Sequence, residues 1–399
     1  MSQRSQKLLV CYDPGTSLSK ILYRMGSEPV RYLTMQPETV ALPAASVSIL
    51  PSSLGSGKPE DNAWVRLNSE GECFAVGRMA RDYRASVSLK RLKYESLIPK
   101  ILAALGAISV KENASKRLTL DLALLIPFGE YSNRDSLEVE LRQALEGFYF
   151  RERSFNIRLK RYECVAEAGG VVFSTIRRDG LERFQNQTLA YLMFGYRNTS
   201  LLLFRNGTLC RNESSTTQLG FYDFIDKVAA KVSGLSRDEI QGAIATLREG
   251  YHNREQARRD YRQATRIVVE DLVKSTDPSK ADREKRDLEE AIATATAEYW
   301  QILTHWLHER LPPLRQLDGA ICCGGASELL QERIFSYFEG KIAHWQTDWE
   351  EKQLLTALQL DEYQKAEFEK QNLALRFADV WGLFAHFSGY EVESGDRVA

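Results

Sequence analysis

The sequence predicts an α/β protein built in two halves. Three observations carry that expectation. Short apolar runs, bounded by Gly, Pro, Asn and Ser, alternate with amphipathic stretches at helix spacing. A strand, polar loop and strand pattern occurs twice, as KLLVCYDPGTSLSKILY near the amino terminus and as LAYLMFGYRNTSLLLF further on. From Ser236 to about Arg310 almost every segment reads as helix, which places a helical insertion in the second half.

In the first half, KLLVCYD and SKILYRM form a hairpin around the loop that begins at Asp13. ETVALPAASVSILPSSLGSGKPED is rich in Pro, Ser and Gly and reads as a long loop. NAWVRLNSEGECFAVG reads as a second hairpin turning at Ser69-Glu70-Gly71. ESLIPKILAALGAI has helical periodicity, with Pro99 near its first turn, where a missing N–H does no harm. LTLDLALLIPFGE is a β-rich run stopped by Pro127, and RDSLEVELRQALEGF is an amphipathic helix.

The second half opens near Ser154 with a strand and a small-residue helix, FNIRLKRYECVAEAGGVVFSTI. Two strands then flank Tyr196 to Thr199, and Asn206-Gly207 marks a hairpin turn. Ser236-Arg237-Asp238-Glu239 matches a capping box. Ile240, Ile244, Leu247 and Tyr251 continue from it as one helical stripe. Asp277-Pro278 restarts a helix whose stripe is Leu288, Ile292, Ala295, Tyr299, Ile302 and Trp306. Two long antiparallel helices joined near KSTDPSK fit this pattern. LDGAICCGGASELLQERIF then supplies a buried strand, a glycine pair and a helix, FADVWGLFAHF a last apolar helix, and EVESGDRVA a frayed tail.

Composition narrows the function classes. Of 399 residues, 43% are apolar and 27% charged, enough for two to four packed domains or subdomains. Lys and Arg total 53 against 54 Asp and Glu, a net charge of −1. A direct nucleic-acid binder normally carries a basic excess, so none is expected. No apolar stretch approaches the ~20 residues that span a bilayer. Met1 to Gln6 lack the apolar core of a signal peptide, so a cytoplasmic protein is expected. The six cysteines form no C-x-x-C pair and read as buried free thiols.

Four stretches carry chemistry. In DPGTSLSK, Gly15 lets backbone approach a ligand, successive N–H groups can form an anion nest, and Thr16, Ser17 and Ser19 add hydroxyls. Lys20 adds a cation that reaches a phosphate, and Asp13 could hold a hydrated Mg²⁺. The second loop repeats the design with Gly195, Tyr196, Arg197 and Asn198. Gly324-Gly325-Ala326 follow a buried strand, where backbone can approach a flat base or ribose beside the free N–H groups of a helix start. Glu167 begins the small-residue helix, where a carboxylate could orient an attacking water. LGSGKP lacks the first glycine and the hydroxyl of a P-loop and reads as an ordinary loop. His305, His308 and Glu309 share a helix face with no further ligand evident.

In this order the four stretches resemble the actin-like ATPase superfamily, and within it the prokaryotic ParM/StbA-type plasmid-segregation actins. DPGTSLSK matches the D-x-G-[ST]-x-x-x-K phosphate loop of that family. AVGRMA with LKYESL resembles its linking segment, and LLIPFGEY its strand ending in a Leu-Pro-like turn. RFADVWGLF resembles its second connecting helix through Arg376, Asp379 and Gly382. The resemblance implies two RNase H-like domains, each a mixed sheet with flanking helices: domain I over 1–160 and domain II over 161–389. It places a helical subdomain at about 220–312 and a tail at 390–399.

It also implies a site. Asp13 would hold Mg²⁺ through water, and Gly15, Thr16, Ser17 and Lys20 the β-phosphate region. Glu167 would place the hydrolytic water, Gly195, Tyr196, Arg197 and Asn198 would hold the β/γ-phosphates, and Gly324, Gly325 and Ala326 would flank adenosine. The implied protein binds ATP or ADP and assembles with itself into filaments, in plasmid segregation or another cytoskeletal role, with any DNA engaged through an adaptor.

One departure bears on activity. The second phosphate loop usually reads D-x-G-x-x-T-x-D, and here those positions hold Met193, Gly195, Asn198 and Ser200. A positioning acid contributes about 10²–10⁴-fold in rate, so weakened hydrolysis is implied. The alternatives are a nucleotide-binding scaffold that hydrolyses poorly, and a non-polymerising kinase or chaperone-like ATPase of the same fold.

Overall fold

The amino-terminal hairpin lies toward one edge of a sheet that has nine strands among the described residues. In the computed structural model, which describes residues 6–43, 57–67, 71–83, 85, 94–246, 265–338, 341 and 347–390, the chain separates into two units. The first comprises Met1–Ser174, Glu350–Leu360 and Phe377–Ala399, and the second Thr175–Trp349 and Asp361–Arg376.

In the first unit β1 (Gln6–Pro14) and β2 (Ser19–Met25) pair antiparallel, with Asp13 opposite Lys20 and Pro14 opposite Ser19. β3 (Arg31–Met35) continues the sheet beyond β2. On its other side β1 runs parallel to β7 (Arg117–Ile126), which runs parallel to β9 (Arg153–Ala166). β4 (Thr39–Leu42), β5 (Ala63–Leu67), β6 (Cys73–Val76) and β8 (Phe148–Phe150) complete the order β3-β2-β1-β7-β9-β8-β5-β6-β4.

Burial explains the two textures of strand. β1 and β7 are parallel neighbours covered on both faces, and both read as near-continuous apolar runs. The first half of β9 alternates instead: Phe155, Ile157 and Leu159 are buried while Asn156, Arg158 and Lys160 are exposed. Pro127 has no N–H to pair and follows the last residue of β7. Helix α1 (Leu97–Lys111) is buried along most of its length, with Pro99 in its first turn as expected. Helix α2 (Arg134–Leu145) buries Leu137, Leu141 and Leu145 at four-residue spacing.

The second unit is organised around β10 (Thr188–Phe194) and β11 (Thr199–Arg205), an antiparallel pair with Met193 opposite Ser200. β12 (Thr208–Leu209) follows the Asn206-Gly207 turn, whose φ values of 51° and 74° are those of a tight hairpin. β13 (Ser215–Thr217) also pairs with β11, and β16 (Gly319–Cys323) lies parallel to β10. Helix α3 (Gly169–Asp179) spans the Ser174/Thr175 division between units, and the last helix, Leu373–Ser388, spans the Arg376/Phe377 division. Each unit has its own apolar core.

The helical insertion differs from its expectation. Ser236 does cap a helix: its Oγ accepts from the Glu239 amide at 3.2 Å, and Glu239 accepts from the Ser236 amide at 2.7 Å. That helix spans only Arg237–Gly242. β14 (Ile244–Thr246) then pairs antiparallel with β15 (Thr265–Ile267). Gly242 is a poor helix interior residue, and β-branched Ile244, Thr246, Thr265 and Ile267 favour the ladder. Ile244 therefore lies in a strand rather than in the expected helix, and the one long helix of the insertion among the described residues is Pro278–Arg310, begun by Asp277, which accepts from the Lys280 amide at 3.1 Å.

The buried stripe of that helix is Leu288, Ala291, Ala295, Tyr299, Leu303 and Leu307, whereas Ile302 is 42% exposed. The face turned to the core follows a mostly four-residue series and leaves Ile302 outside it. Leu247, Tyr251, Ser69 and Glu70, most of the long Pro/Ser loop, part of LKYESL and the tail beyond Tyr390 lie outside the described residues. All six cysteines are free; five are buried and Cys210 is half-buried. Among the described residues no helix is long and apolar enough to cross a membrane.

Candidate functional site

The turn after β1 is a four-residue loop, Gly15 to Leu18, closed by the Pro14–Ser19 pair. A Cβ on Gly15 would lie 2.4 Å from the Leu18 carbonyl oxygen, so only glycine fits. Asp13 and Lys20 form a direct ion pair, with side chains 6% and 13% exposed. Thr16 and Ser19 are buried, Gly15 and Ser17 are half-buried, and the Tyr12 hydroxyl donates to Ser19 Oγ at 3.0 Å. The loop is thus partly exposed at Gly15 and Ser17, while the acid and lysine at its base are paired and largely buried.

Glu167 stands in the turn between β9 and α3 and is buried. Its amide donates to the Ile126 carbonyl at 2.8 Å, which ties the turn to the end of β7. The next residue, Ala168, has φ 74°, in the left-handed region that alanine rarely occupies. Asp379, from the Leu373–Ser388 helix, accepts from the Ala168 amide at 2.8 Å and from the Val171 amide at 3.1 Å. Burial pushes the Asp379 carboxyl up to about 7; the nearby Asp13 and Glu167 charges add to the rise, and the two amides oppose it. In the first unit the buried carboxylates Asp13 and Glu167 thus lie within electrostatic reach of Asp379, and Asp13 is paired with Lys20.

Asp379 is the site residue that local sequence reasoning left unassigned in role. Its signal was an acid inside the otherwise apolar stretch FADVWGLF, since a charge in such a place needs partners.

In the second unit the turn after β10 repeats the construction. Gly195 donates to the Asn198 carbonyl at 2.9 Å, and a Cβ on Gly195 would lie 2.8 Å from that oxygen. The carbonyls of Gly195 and Tyr196 accept from the amides of Phe221 and Tyr222, at 3.0 and 2.8 Å, at the start of the Phe221–Lys231 helix. Thr199 donates to the Leu219 carbonyl at 2.7 Å, and Ser200 pairs with Thr216 at 3.1 Å. The Tyr196 hydroxyl donates to Gln241 at 2.9 Å, and burial pushes it up to about 12. Arg197 is half-buried beside it.

Gly324 adjoins this turn. Its φ of 91° and a Cβ position 2.4 Å from the Phe194 carbonyl oxygen demand glycine. Ala326 donates to the same Phe194 carbonyl at 3.3 Å, and Gly325 is exposed. Met193 is buried with its sulfur 3.8 Å from Cys323 Sγ. The expected helix start is displaced: turns follow the glycine pair, and the helix begins only at Gln331. The helix start does not sit beside Gly325: Ser327 turns back on Gly324, its amide and hydroxyl both donating to that carbonyl at 3.0 and 2.7 Å.

The structure thus brings Asp13, Gly15, Thr16, Ser17 and Lys20 together at one turn of the first unit, with Glu167 in another turn of the same unit. It brings Gly195, Tyr196, Arg197, Asn198, Gly324, Gly325 and Ala326 together in the second. His305 pairs with Glu309 at 3.5 Å on an exposed helix face, and no group of three metal-ligating side chains occurs among the described residues.

No family model and no curated protein matches the sequence. Solved structures do match. An archaeal actin homologue in complex with ADP aligns over 96% of this chain and 99% of its own, at 16% identity and a TM-score of 0.53. ParM of Bacillus thuringiensis with AMPPNP aligns over 95% of this chain and 99% of its own, at 13% identity and a TM-score of 0.54. A subunit of a 15-stranded ParM filament from Clostridium botulinum aligns over 82% of this chain and 91% of its own, at 13% identity and a TM-score of 0.51. The mixed sheets, the two glycine turns and these full-length alignments agree: the chain has the actin-like fold found in prokaryotic ParM proteins and archaeal actin homologues.

Proposed function

We propose that this protein is an actin-like ATP-binding protein that assembles into filaments in the cytoplasm, with its first unit as domain I and its second as domain II. The observation that carries the reading is the Asp13 turn, a glycine-bearing anion cradle with a buried acid and lysine, on a fold whose relatives were solved with ADP and AMPPNP. Gly15, Thr16, Ser17 and Lys20 hold the β-phosphate region. Gly195, Tyr196, Arg197 and Asn198 offer backbone to the outer phosphates, and Gly324, Gly325 and Ala326 flank the adenosine.

A divalent cation suits the first unit. Asp13, Glu167 and Asp379 are buried acids; burial raises Asp379 most, the charges of Asp13 and Glu167 add to the rise, and a cation nearby would favour the ionised forms. Since no three ligands converge among the described residues, a Mg²⁺ that keeps its waters fits better than one held directly. When bound, Mg²⁺ supplies charge neutralisation across the phosphates, and Asp13 would hold it through water. Glu167 orients the attacking water.

Nucleotide state sets domain closure, and closure sets head-to-tail contacts that do not close on themselves. Solved ParM filaments support self-assembly on this fold. An adaptor, rather than this chain, engages DNA in a segregation role.

One observation favours a second reading, nucleotide binding with poor hydrolysis: buried Met193 packs on Cys323 where relatives of this type carry an acid. Light scattering and phosphate release, measured with ATP, ADP and AMPPNP, decide between them. ATP-dependent scattering with phosphate release supports the first reading. Scattering without release selects the second, and absence of nucleotide binding overturns both.

A further inference from the structure

We infer that Asp379 is a positioning residue for Glu167: its carboxylate clamps the Glu167–Ala168 turn from the opposite helix. The inference rests on the reading of Glu167 as the carboxylate that orients water. Three amides pin this turn. Glu167 donates to the Ile126 carbonyl, while Ala168 and Val171 donate to the two oxygens of Asp379. Val171 lies in the first turn of α3, so its bond to Asp379 joins the start of that helix to the turn before it. Ala168 holds a left-handed backbone that alanine does not favour, so something outside the turn must hold it there.

The helix crossing is shaped to deliver that carboxylate. A Cβ on Gly170 would lie 1.8 Å from the Asp379 carbonyl oxygen, and one on Gly382 would lie 2.0 Å from the Gly170 carbonyl oxygen. Only glycine at both positions lets the two backbones approach this closely. The charged groups facing Asp379 are both acids, Asp13 from β1 and Glu167 from the turn itself. A carboxylate is retained here despite that repulsion. The hydrogen bonds give the reason: the two amides donate to separate oxygens, and an asparagine would set an NH₂ donor against one of them.

The test is Asp379→Asn, isosteric but lacking the second acceptor, read by hydrogen exchange on the full nucleotide-free chain and by turnover. Asp379→Asn is expected to speed exchange of the Ala168 and Val171 amides about tenfold or more, with the rest of the first unit unchanged. Turnover should fall at unchanged nucleotide affinity, and the double variant with Glu167→Gln should be no slower than Glu167→Gln alone. Unchanged local exchange overturns the clamp, as does a rise spread over the whole unit, which would mark a general core role. In the wild-type chain these two amides must exchange as slowly as core amides. Fast exchange there overturns the inference even where the variant does not fold. A wild type without turnover removes the hydrolytic role of Glu167 alone, and exchange still decides the clamp.

Discussion

The turn after β1 and the turn after β10 are built alike: each closes four residues between paired strands. At both glycines an added Cβ would strike the carbonyl oxygen three residues on, at 2.4 Å for Gly15 and 2.8 Å for Gly195. Their chemistry differs one pair back from the turn. Asp13 opposes Lys20 as a buried ion pair, whereas Met193 opposes Ser200 and rests on Cys323. The hydroxyls of the second turn are bonded within its own unit, to Leu219 and Thr216. Backbone shape and charge are therefore separable parts of such a cradle: the first turn has both, and the second keeps the shape.

The comparison breaks most sharply at Asp13. Asp13→Ala leaves Lys20 buried without its partner, which is expected to remove about 3–5 kcal/mol of stability and to abolish Mg²⁺-dependent nucleotide binding. Urea denaturation and calorimetric titration measure the two effects, and an unchanged protein would sink the assignment of the first turn.

Asp379 should give the next largest effect, a few kcal/mol across pH. Its carboxyl ionises less readily folded, near 7, than unfolded, near about 4. Its contribution to stability is therefore full below about pH 4 and is lost as pH rises through about 7. Denaturation of the ligand-free protein from pH 4 to 8 should show this dependence, and Asp379→Asn should flatten it.

Met193→Asp tests whether charge can be restored to the second turn. Phosphate release should rise by about 10²-fold if that acid limits turnover, while the ligand-free protein loses stability from a new buried acid. A rate that does not move would place the limit elsewhere. Gly324→Ala forces a side chain into left-handed backbone and onto the Phe194 carbonyl, and should cost about 1–3 kcal/mol in a thermal melt. Smallest is Tyr196→Phe, which removes the hydrogen bond to Gln241 and should cost about 1 kcal/mol by the same measurement.

What the sequence made legible was local. The two hairpins, the Ser236 and Asp277 caps, Pro127 as a strand stop and the Asn206-Gly207 turn are written within a few residues, and all are present. What it hid was set at a distance. β14 forms because Ile244 has Ile267 as partner, 23 residues on, and helix periodicity alone carries no sign of that pairing. Asp379 owes its role to an amide 211 residues away. The delay between Gly325 and the helix at Gln331 arises because Gly324 and Ala326 are drawn onto Phe194 of the neighbouring strand.

The six free thiols give the molecule a built-in reporter. Cys11, Cys73 and Cys164 are buried in the first unit, and Cys322 and Cys323 in the second, while Cys210 is half-buried. A maleimide or disulfide probe should therefore mark Cys210 first under native conditions. Modification of the others would then time the opening of each unit separately, with no engineered label.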